Sequence, residues 1–275
     1  MEAERVKFLE EKCKGFRIDL IELLHKIQTG HPGGSLSAVE IITTLYYEKM
    51  NVDSAKPKAE DRDRFVLAKG HAAPIYYRVL AEKGFFKKEE LSTLRQINSR
   101  LQGHPCAKKT PGVELSTGPL GLGLSAAVGM AASAKQDKKS LYTYVLMGDG
   151  ELQEGIVWEA AMAASKFKLD NLIAIVDNNG VQLDGTVEEI MPMGSLKDKW
   201  SAFGWNVVET DGHDISAFSE AVDKAKELKG KPVVILAKTV KGKGVSFMEG
   251  KNIWHGKPIS NEEYEKALKE LGHNN

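Results

Sequence analysis

The sequence predicts an α/β fold in which helices cover both faces of a parallel β-sheet, a three-layer αβα arrangement. Two observations predict it. Short runs rich in apolar residues recur along the chain, and segments with the apolar spacing of a helix separate them. Strands with few polar residues that alternate with helices are typical of parallel sheets buried on both faces. The predicted strands cover residues 64–68, 141–147, 172–177, 205–210 and 232–238.

The N-terminal part of the chain is predicted to be mainly helical. Apolar residues recur at helical spacing over residues 2–29, and the Gly-His-Pro-Gly-Gly sequence at 30–34 ends that helix. Ser35 or Ser37 is a candidate N-cap for a second helix that continues to Lys49. Further helices are predicted over residues 72–83, 88–97 and 121–136.

In the C-terminal part, helices follow strands in regular alternation. The segment from Gly150 to Lys168 and residues 215–229 are predicted to be helical. A last surface helix follows Ser260, and Glu263 is placed to complete a capping box with it. Because the chain shows no internal repeat, low-complexity segment or linker, we predict a single domain over residues 1–275.

Composition excludes several classes of protein. The 38 basic and 38 acidic side chains cancel, so the net charge provides no general attraction to nucleic acid or to an anionic membrane. The two cysteines form no disulfide framework and have no metal-binding spacing. The N-terminus lacks an apolar signal core, and no run is long enough to span a bilayer. We expect a cytoplasmic protein without nucleic-acid or membrane partners.

Two polar turns follow neighbouring predicted strands. Gly148-Asp149-Gly150 ends one strand and Asn178-Asn179 ends the next, so both turns lie at the sheet edge where such folds bind ligands. Carboxylate and amide oxygens suit Mg²⁺ or Ca²⁺, and Mg²⁺ usually shares its shell with phosphate oxygens. The glycines permit close approach, and the following helix offers its positive end to a phosphate. We interpret the pair as a magnesium–diphosphate cradle, although each motif alone also fits an ordinary turn.

Histidines form a second group of candidates. Four of the seven lie in glycine-containing loops or near predicted helix starts, namely His31, His71, His104 and His255. Imidazole titrates near neutrality and can exchange hydrogen bonds and protons with the hydroxyls of a sugar-like substrate. Each is equally compatible with a loop residue whose ring nitrogens are satisfied locally. The spacing does not match a zinc site.

Taken together, these motifs resemble the transketolase family, specifically its N-terminal, thiamin diphosphate-binding half. The resemblance covers nearly the whole chain. The motifs that carry it, besides the Asp149 to Asn179 signature, are TGHPGGSLS at 29–37, LAKGHAAPIYY at 67–77, LQGHP at 101–105, STGPLGLGLSAAVGMA at 116–131 and KTVKGKGVSFME at 238–249.

The resemblance implies thiamin diphosphate and Mg²⁺ as cofactors, with Ca²⁺ as a possible substitute. The metal would be bound by side-chain oxygens of Asp149 and Asn179 and by the Val181 carbonyl. His31 and His104 would contact hydroxyls of the donor sugar. The implied catalytic residues are His31, His71, His104, His255 and Glu154, and the implied cofactor contacts are His71, Gly118, Leu120, Gly148, Asp149, Gly150, Glu154, Asn179, Leu183 and His255.

Some of these positions have simpler explanations. A carboxylate at Glu154 is favourable at the positive end of the following helix, whereas the resemblance places it at a subunit interface that links paired active sites. Gly118 and Leu120 precede a helix of small residues that could simply pack tightly. A basic run that includes Lys241 and Lys243 is usually a solvated loop, but either lysine could lie near an anionic group.

The resemblance also implies that part of the active site lies elsewhere. In transketolases the glutamate that activates the cofactor belongs to a pyrimidine-binding domain, and no segment here resembles that domain or the C-terminal domain. We therefore expect the N-terminal subunit of a split transketolase, in an α2β2 assembly with a C-terminal subunit. Alternatives are a truncated longer enzyme, a deoxyxylulose phosphate synthase-like or unusual-sugar transketolase subunit, and a non-catalytic Mg-diphosphate-binding subunit.

Overall fold

The computed structural model describes residues 1–273, and a five-stranded sheet forms its centre. Every strand is parallel to its neighbours, in the order β1-β2-β3-β5-β4. The predicted parallel α/β fold is therefore confirmed, and the last two residues of the predicted domain 1–275 lie outside the described part. The strands are β1 (Arg64–Leu67), β2 (Thr143–Gly148), β3 (Leu172–Asn178), β4 (Asn206–Asp211) and β5 (Val233–Lys238).

Helices surround the sheet on both sides. Within residues 1–273 the α-helices are α1 (Ala3–Ile27), α2 (Pro32–Leu36), α3 (Val39–Thr44), α4 (Ala73–Glu82), α5 (Leu122–Gln136), α6 (Gly155–Lys166), α7 (Val187–Ile190), α8 (Leu196–Ala202), α9 (Ile215–Glu227) and α10 (Asn261–Glu270). A π-helical turn covers Leu45–Lys49, and 3₁₀ turns cover Gly70–Ala72, Lys88–Thr93, Gly150–Gln153 and Asn252–His255. In this part of the chain no helix has the length and apolar character needed to cross a membrane.

Alternate side chains of each strand enter separate hydrophobic cores. Leu146 and Ile175 belong to the core beneath α1, α3, α4 and α9, whereas Val145 and Ala174 belong to the core beneath α5 and α6. Side chains point to opposite faces with a period of two, so burial of both sets covers both faces of the sheet over β1, β2, β3 and β5, whereas the edge strand β4 is only partly buried. This double burial explains why the central strands read as nearly continuous apolar runs.

The predicted start of the second helix is wrong. α2 begins at Pro32, whose fixed φ and missing N–H suit the first helical turn. Ser35 lies inside that helix. Ser37 follows it, and its hydroxyl donates to Asp177 Oδ2 at 2.6 Å instead of capping a helix. The predicted helix to Lys49 is divided into α2, α3 and the π-helical turn.

Two other helix predictions need correction. The predicted helix at 88–97 is a 3₁₀ turn over Lys88–Thr93, which ends because Leu94 has an extended ψ of 130° and Arg95 a left-handed φ of 63°. The segment after Gly150 begins as a 3₁₀ turn, and the extended conformation of Glu154 separates that turn from α6. α8 was not predicted, although Ser195 caps it by accepting from the Asp198 N–H at 3.2 Å.

Candidate active site

The turns after β2 and β3 lie side by side at the carboxyl edge of the sheet. Asp149 follows β2, and its two carboxylate oxygens accept from the N–H groups of Gly150 at 2.8 Å and Gly180 at 2.5 Å. Asn179 follows β3, and its Oδ1 accepts from the Val181 N–H at 3.1 Å. Strand pairing therefore brings together the two ends of the motif that the sequence singled out.

Asp149 is almost fully buried, and within residues 1–273 its carboxylate forms no ion pair, although it interacts electrostatically with Lys69 and Lys241. Burial raises the pKa of its carboxyl to about 6, although two backbone N–H groups oppose that rise. Within the same range, no group of three His, Cys, Asp or Glu side chains could hold a metal ion. A metal here would instead use one carboxylate, the Asn179 amide and the Val181 carbonyl, a donor set that fits a hard divalent cation.

A cavity of about 250 Å³ opens beside these oxygens. Gly148 contributes to its wall, and a Cβ at that position would meet no atom within 4 Å, so the glycine leaves space for a ligand. A larger groove of about 860 Å³ lies on the other side of Asp149 and Asn179, and none of the four histidines lines it. Further residues lining the 250 Å³ cavity are Lys69, His71, Leu120, Gly150, Glu151, Glu154, Leu183, Lys241 and His255.

The four candidate histidines converge on one another. The ring centroid of His31 lies 5.4 Å from that of His71, 6.0 Å from that of His104 and 5.3 Å from that of His255. The rings of His71 and His255 are 4.9 Å apart. His31 precedes α2, His71 lies in the turn before α4, His104 in the following loop and His255 near the C-terminus. The fold thus gathers histidines from four distant segments.

The environment keeps these imidazoles neutral at pH 7. Burial lowers the pKa of His31 to about 4 and that of His255 to about 3. Nearby positive charges act in the same direction, chiefly Arg95 on His31 and Lys241 on His255. Burial also lowers the pKa of the other two histidines. A neutral imidazole has one donor and one acceptor nitrogen, which suits contact with hydroxyl groups.

Gly118 and two leucines shape the apolar part of the site. Gly118 has a φ of 150°, and a Cβ there would lie 3.4 Å from His104 Cγ, so the backbone passes close to the imidazole. Leu120 and Leu183 line the cavity with exposed side chains, at 38% and 57% of their full accessibility. Their exposed positions leave an apolar wall at the cavity mouth.

Two glutamates flank the start of α6. Glu154 is exposed at the cavity wall and occupies the N-cap position without a side-chain cap bond. Glu151 is buried, and its carboxylate accepts from the N–H groups of Gly121 at 2.8 Å and Gly148 at 3.1 Å. Burial raises the pKa of Glu151 to about 7. Glu151, which the sequence did not single out, joins the loop before α5 to the end of β2.

The structure distinguishes the two candidate lysines. Lys241 is buried in the cavity wall, where its Nζ donates to the Val181 carbonyl and to His255 Nδ1, each at 3.1 Å. Burial lowers its pKa to about 8. Lys243 points away from the cavity, with its Nζ 3.8 Å from a carboxylate oxygen of Glu249. Only the first of these lysines adds positive charge to the site.

Besides Glu151, sequence reasoning missed three charged side chains next to the site. Lys69 and Asp177 form an ion pair with almost no exposure, and the Thr239 hydroxyl donates to the same carboxylate. Arg95 donates to His31 Nδ1 at 3.3 Å. The ion pair could have been predicted, because Lys69 and Asp177 each lie at the carboxyl end of a predicted buried strand, at the sheet edge where such folds bind ligands. The position of Arg95, whose backbone is left-handed, had no such signal in the sequence.

Comparison with known proteins gives a consistent result. The family model described as "Transketolase, thiamine diphosphate binding domain" matches residues 10–275. One of the subunits of apulose-4-phosphate transketolase from Phocaeicola vulgatus is 45% identical over 97% of this chain and 95% of its own. A 6-deoxy-6-sulfo-D-fructose transketolase subunit of Clostridium sp. is 44% identical over 96% of each chain. Human transketolase is 41% identical over 98% of this chain but only 42% of its own.

Solved structures extend this similarity to the fold. Transketolase from Leishmania mexicana superposes with a TM-score of 0.91 at 32% identity, covering 97% of this chain. Transketolase from Campylobacter jejuni superposes with a TM-score of 0.90 at 33% identity, covering the whole chain. This chain spans only 41% and 44% of those two structures. The fold, the site geometry and the sequence comparisons lead to one conclusion: the chain belongs to the family of transketolase thiamine diphosphate-binding domains.

Proposed function

We propose that this chain is the N-terminal subunit of a split transketolase. It transfers a two-carbon ketol unit from a ketose phosphate of the xylulose 5-phosphate type to an aldose phosphate of the ribose 5-phosphate type. The observation that carries the proposal is the convergence of four neutral histidines beside a cavity that also contains Asp149, Asn179 and Val181. Sugar hydroxyls and a metal-bound diphosphate match these two halves of the site.

The chain's own residues fit thiamin diphosphate and Mg²⁺. Asp149, Asn179 and Val181 would hold the metal, or Ca²⁺ in its place, because a bound divalent cation stabilises the charged form of a buried carboxylate and accepts oxygen ligands of this kind. Lys241 adds positive charge next to Val181, and the open space at Gly148 admits a phosphate group. Gly150, Leu120 and Leu183 line the cavity and would contact the remainder of the cofactor. Gly118, which lies beside His104 and does not line the cavity, would contact it as well.

The histidines would bind the hydroxyls of the sugar and exchange protons with them. When bound, thiamin diphosphate supplies the carbanion chemistry and the electron sink. His31 and His104 would exchange hydrogen bonds with donor hydroxyls, since their lowered pKa values keep them neutral and able both to accept and to donate. His71 and His255 would act at the diphosphate end, where His255 already contacts Lys241 and can also reach substrate.

The activating glutamate would come from a C-terminal subunit in an α2β2 assembly, with residues 1–275 serving as one diphosphate-binding domain in the cytoplasm. The relatives from Phocaeicola vulgatus and Clostridium sp., which this chain matches over nearly their full length, are themselves named as subunits. Glu154, Leu120 and Leu183 are exposed at the cavity mouth. Contact with a partner at this mouth would complete the site and place Glu154 between paired active sites.

The test is ketol transfer from xylulose 5-phosphate to ribose 5-phosphate with Mg²⁺ and thiamin diphosphate. The chain is assayed alone and then with a candidate C-terminal subunit. Activity only in the mixture supports a site built from two chains. Activity of the chain alone would refute the split-site proposal, since the activating carboxylate would then have to come from this chain.

A specific observation favours a second candidate, transfer from an unusual ketose. The similar subunits are named for apulose 4-phosphate and for 6-deoxy-6-sulfo-D-fructose. Assaying these ketoses against xylulose 5-phosphate decides between the two donors, and pyruvate as donor tests the deoxyxylulose phosphate synthase-like alternative. Magnesium-dependent cofactor binding without turnover of any donor would instead indicate a non-catalytic subunit.

A further inference from the structure

A buried polar network lies behind the cavity wall and takes no part in the proposed chemistry. Arg17 of α1 makes a two-point contact with Glu40 of α3, with Nη1–Oε1 at 2.5 Å and Nη2–Oε2 at 2.8 Å. Glu40 Oε2 also contacts His213 Nδ1 at 2.8 Å. Both members of the ion pair are less than a tenth exposed. None of the three side chains lines the cavity.

The hydrogen bonds of His213 determine its tautomer. The Val240 N–H donates to His213 Nε2 at 2.9 Å, so Nε2 carries no hydrogen. Nδ1 therefore carries the hydrogen in the neutral ring and donates it to Glu40. The imidazole therefore links the buried ion pair to the backbone N–H of Val240.

Both ends of this network hold the short segment that carries Lys241. His213 binds the N–H of Val240 immediately before Lys241, and Arg17 Nε donates to the Lys243 carbonyl, two residues after it, at 3.0 Å. The Gly242 N–H between these two points donates to the Gly33 carbonyl at 3.0 Å. The backbone on both sides of Lys241 is thereby fixed from outside the cavity.

This arrangement can have a role other than stability. A buried ion pair is often no more stabilising than apolar side chains of similar volume, and its retention is more readily explained where it specifies one conformation. Here the conformation specified is that of residues 240–243, and the result is the placement of Lys241 Nζ at 3.1 Å from the Val181 carbonyl.

We propose that Arg17, Glu40 and His213 are positioning residues that set the affinity of the site for the magnesium–diphosphate group by holding Lys241 against it. The inference rests on the proposed function, because that function brings the diphosphate to Lys241. The three residues touch neither the cofactor nor the substrate. Their effect must therefore pass through Lys241, and this requirement separates positioning from a contribution to stability alone.

A double-mutant cycle tests this requirement. Thiamin diphosphate with Mg²⁺ is titrated by calorimetry into the full chain and into the variants His213→Phe, Lys241→Met and the combination. Lys241→Met should weaken binding about tenfold and His213→Phe about fivefold, as expected when a charged group in a site is lost or displaced. In the Lys241→Met background, His213→Phe should change the affinity less than about twofold, because coupled residues are non-additive.

Rescue and control variants complete the design. His213→Gln retains one donor and one acceptor and should restore most of the affinity. Where His213→Phe does not fold, Arg17→Lys takes its place, since it keeps the charge but loses the bond to the Lys243 carbonyl. The control is Asp19→Asn on the same helix, which breaks the ion pair with Arg78 and should leave cofactor affinity unchanged.

The outcomes separate the two ideas. If Lys241→Met leaves the affinity unchanged, the cofactor role of Lys241 in the proposed function is wrong, and the positioning inference is overturned with it. If Lys241→Met weakens binding but the effects of the two substitutions simply add, the proposed function stands and the positioning inference is overturned.

Discussion

Replacing Asp177 with asparagine removes the charge that compensates Lys69 in the interior. The side chains of Asp177 and Lys69 are 0% and 1% exposed. The Lys69 ammonium also donates to the Gly34 carbonyl, and the Asp177 carboxylate also accepts from the hydroxyls of Ser37 and Thr239. Ionic contact with Lys69 keeps the pKa of Asp177 below its usual range in spite of burial. In Asp177→Asn the ammonium stays buried without a counter-charge.

The expected cost follows from that burial. Breaking one partner of a buried ion pair typically costs about 3–5 kcal/mol, far more than the net value of the intact pair. For a chain of this size, about 2 °C of Tm is lost per kcal/mol, so the midpoint should fall by about 6–10 °C. The double variant Lys69→Met/Asp177→Leu should recover much of this loss, because neither charge remains.

Urea and thermal unfolding of the cofactor-free chain measure the effect. The matched control is Lys135→Ala, which breaks the more exposed pair with Asp170 at 2.9 Å and should cost less than about 1 kcal/mol. Equal losses for Asp177→Asn and Lys135→Ala would refute the reasoning, since burial would then have no influence on the cost of losing a partner.

Three further outcomes are expected. Asp149→Ala should weaken Mg²⁺-dependent thiamin diphosphate binding at least about tenfold, because the proposed metal ligand is lost; unchanged affinity by calorimetry would show that the proposed metal site is wrong. The fold lowers the pKa of His31 from 6.5 to about 4. Above pH 6.5 the ring is therefore neutral in both the folded and the unfolded chain, whereas between pH 6.5 and pH 4 only the unfolded chain binds the proton. Stability in urea should fall by up to about 1 kcal/mol per pH unit from pH 6.5 towards pH 4, and a slope unchanged in His31→Asn would contradict this. Gly123→Ala should cost about 1–3 kcal/mol, since its Cβ would lie 2.4 Å from that of Ala68, whereas Gly129→Ala on the same helix meets no atom within 4 Å and should be neutral or stabilising.

Hydrophobic periodicity was sufficient to predict the sheet because double burial leaves a strong local signal. The strands that contain Val145 and Ala174 are apolar at every central position, and their order along the chain placed Asp149 and Asn179 at one edge. The four histidines were identifiable because each lies in a glycine-containing loop or near a predicted helix start. Such features are local in sequence, so one chain without coordinates was enough to find them.

Features that depend on tertiary contact were not predictable in the same way. Ser37 looked like a helix cap, but its hydroxyl contacts Asp177, which is distant in the sequence. Arg95, whose backbone is left-handed, donates to His31, which is 64 residues away in the sequence. His213 was not among the candidate histidines, and its contacts with Glu40 and Val240 join three separate segments of the chain. A contact between distant segments produces no periodic pattern in the sequence of either segment.

The parallel order of the strands also has a kinetic consequence. β1 pairs with β2, residue 64 opposite residue 143, and β3 pairs with β5, residue 173 opposite residue 233, so two of the four strand pairings join segments that are far apart in the chain. Loop closure over such separations slows folding relative to the formation of single helices. His31, His104 and His255 come together only after these long connections close. During refolding, far-ultraviolet circular dichroism should therefore recover before the chain regains the capacity to bind thiamin diphosphate.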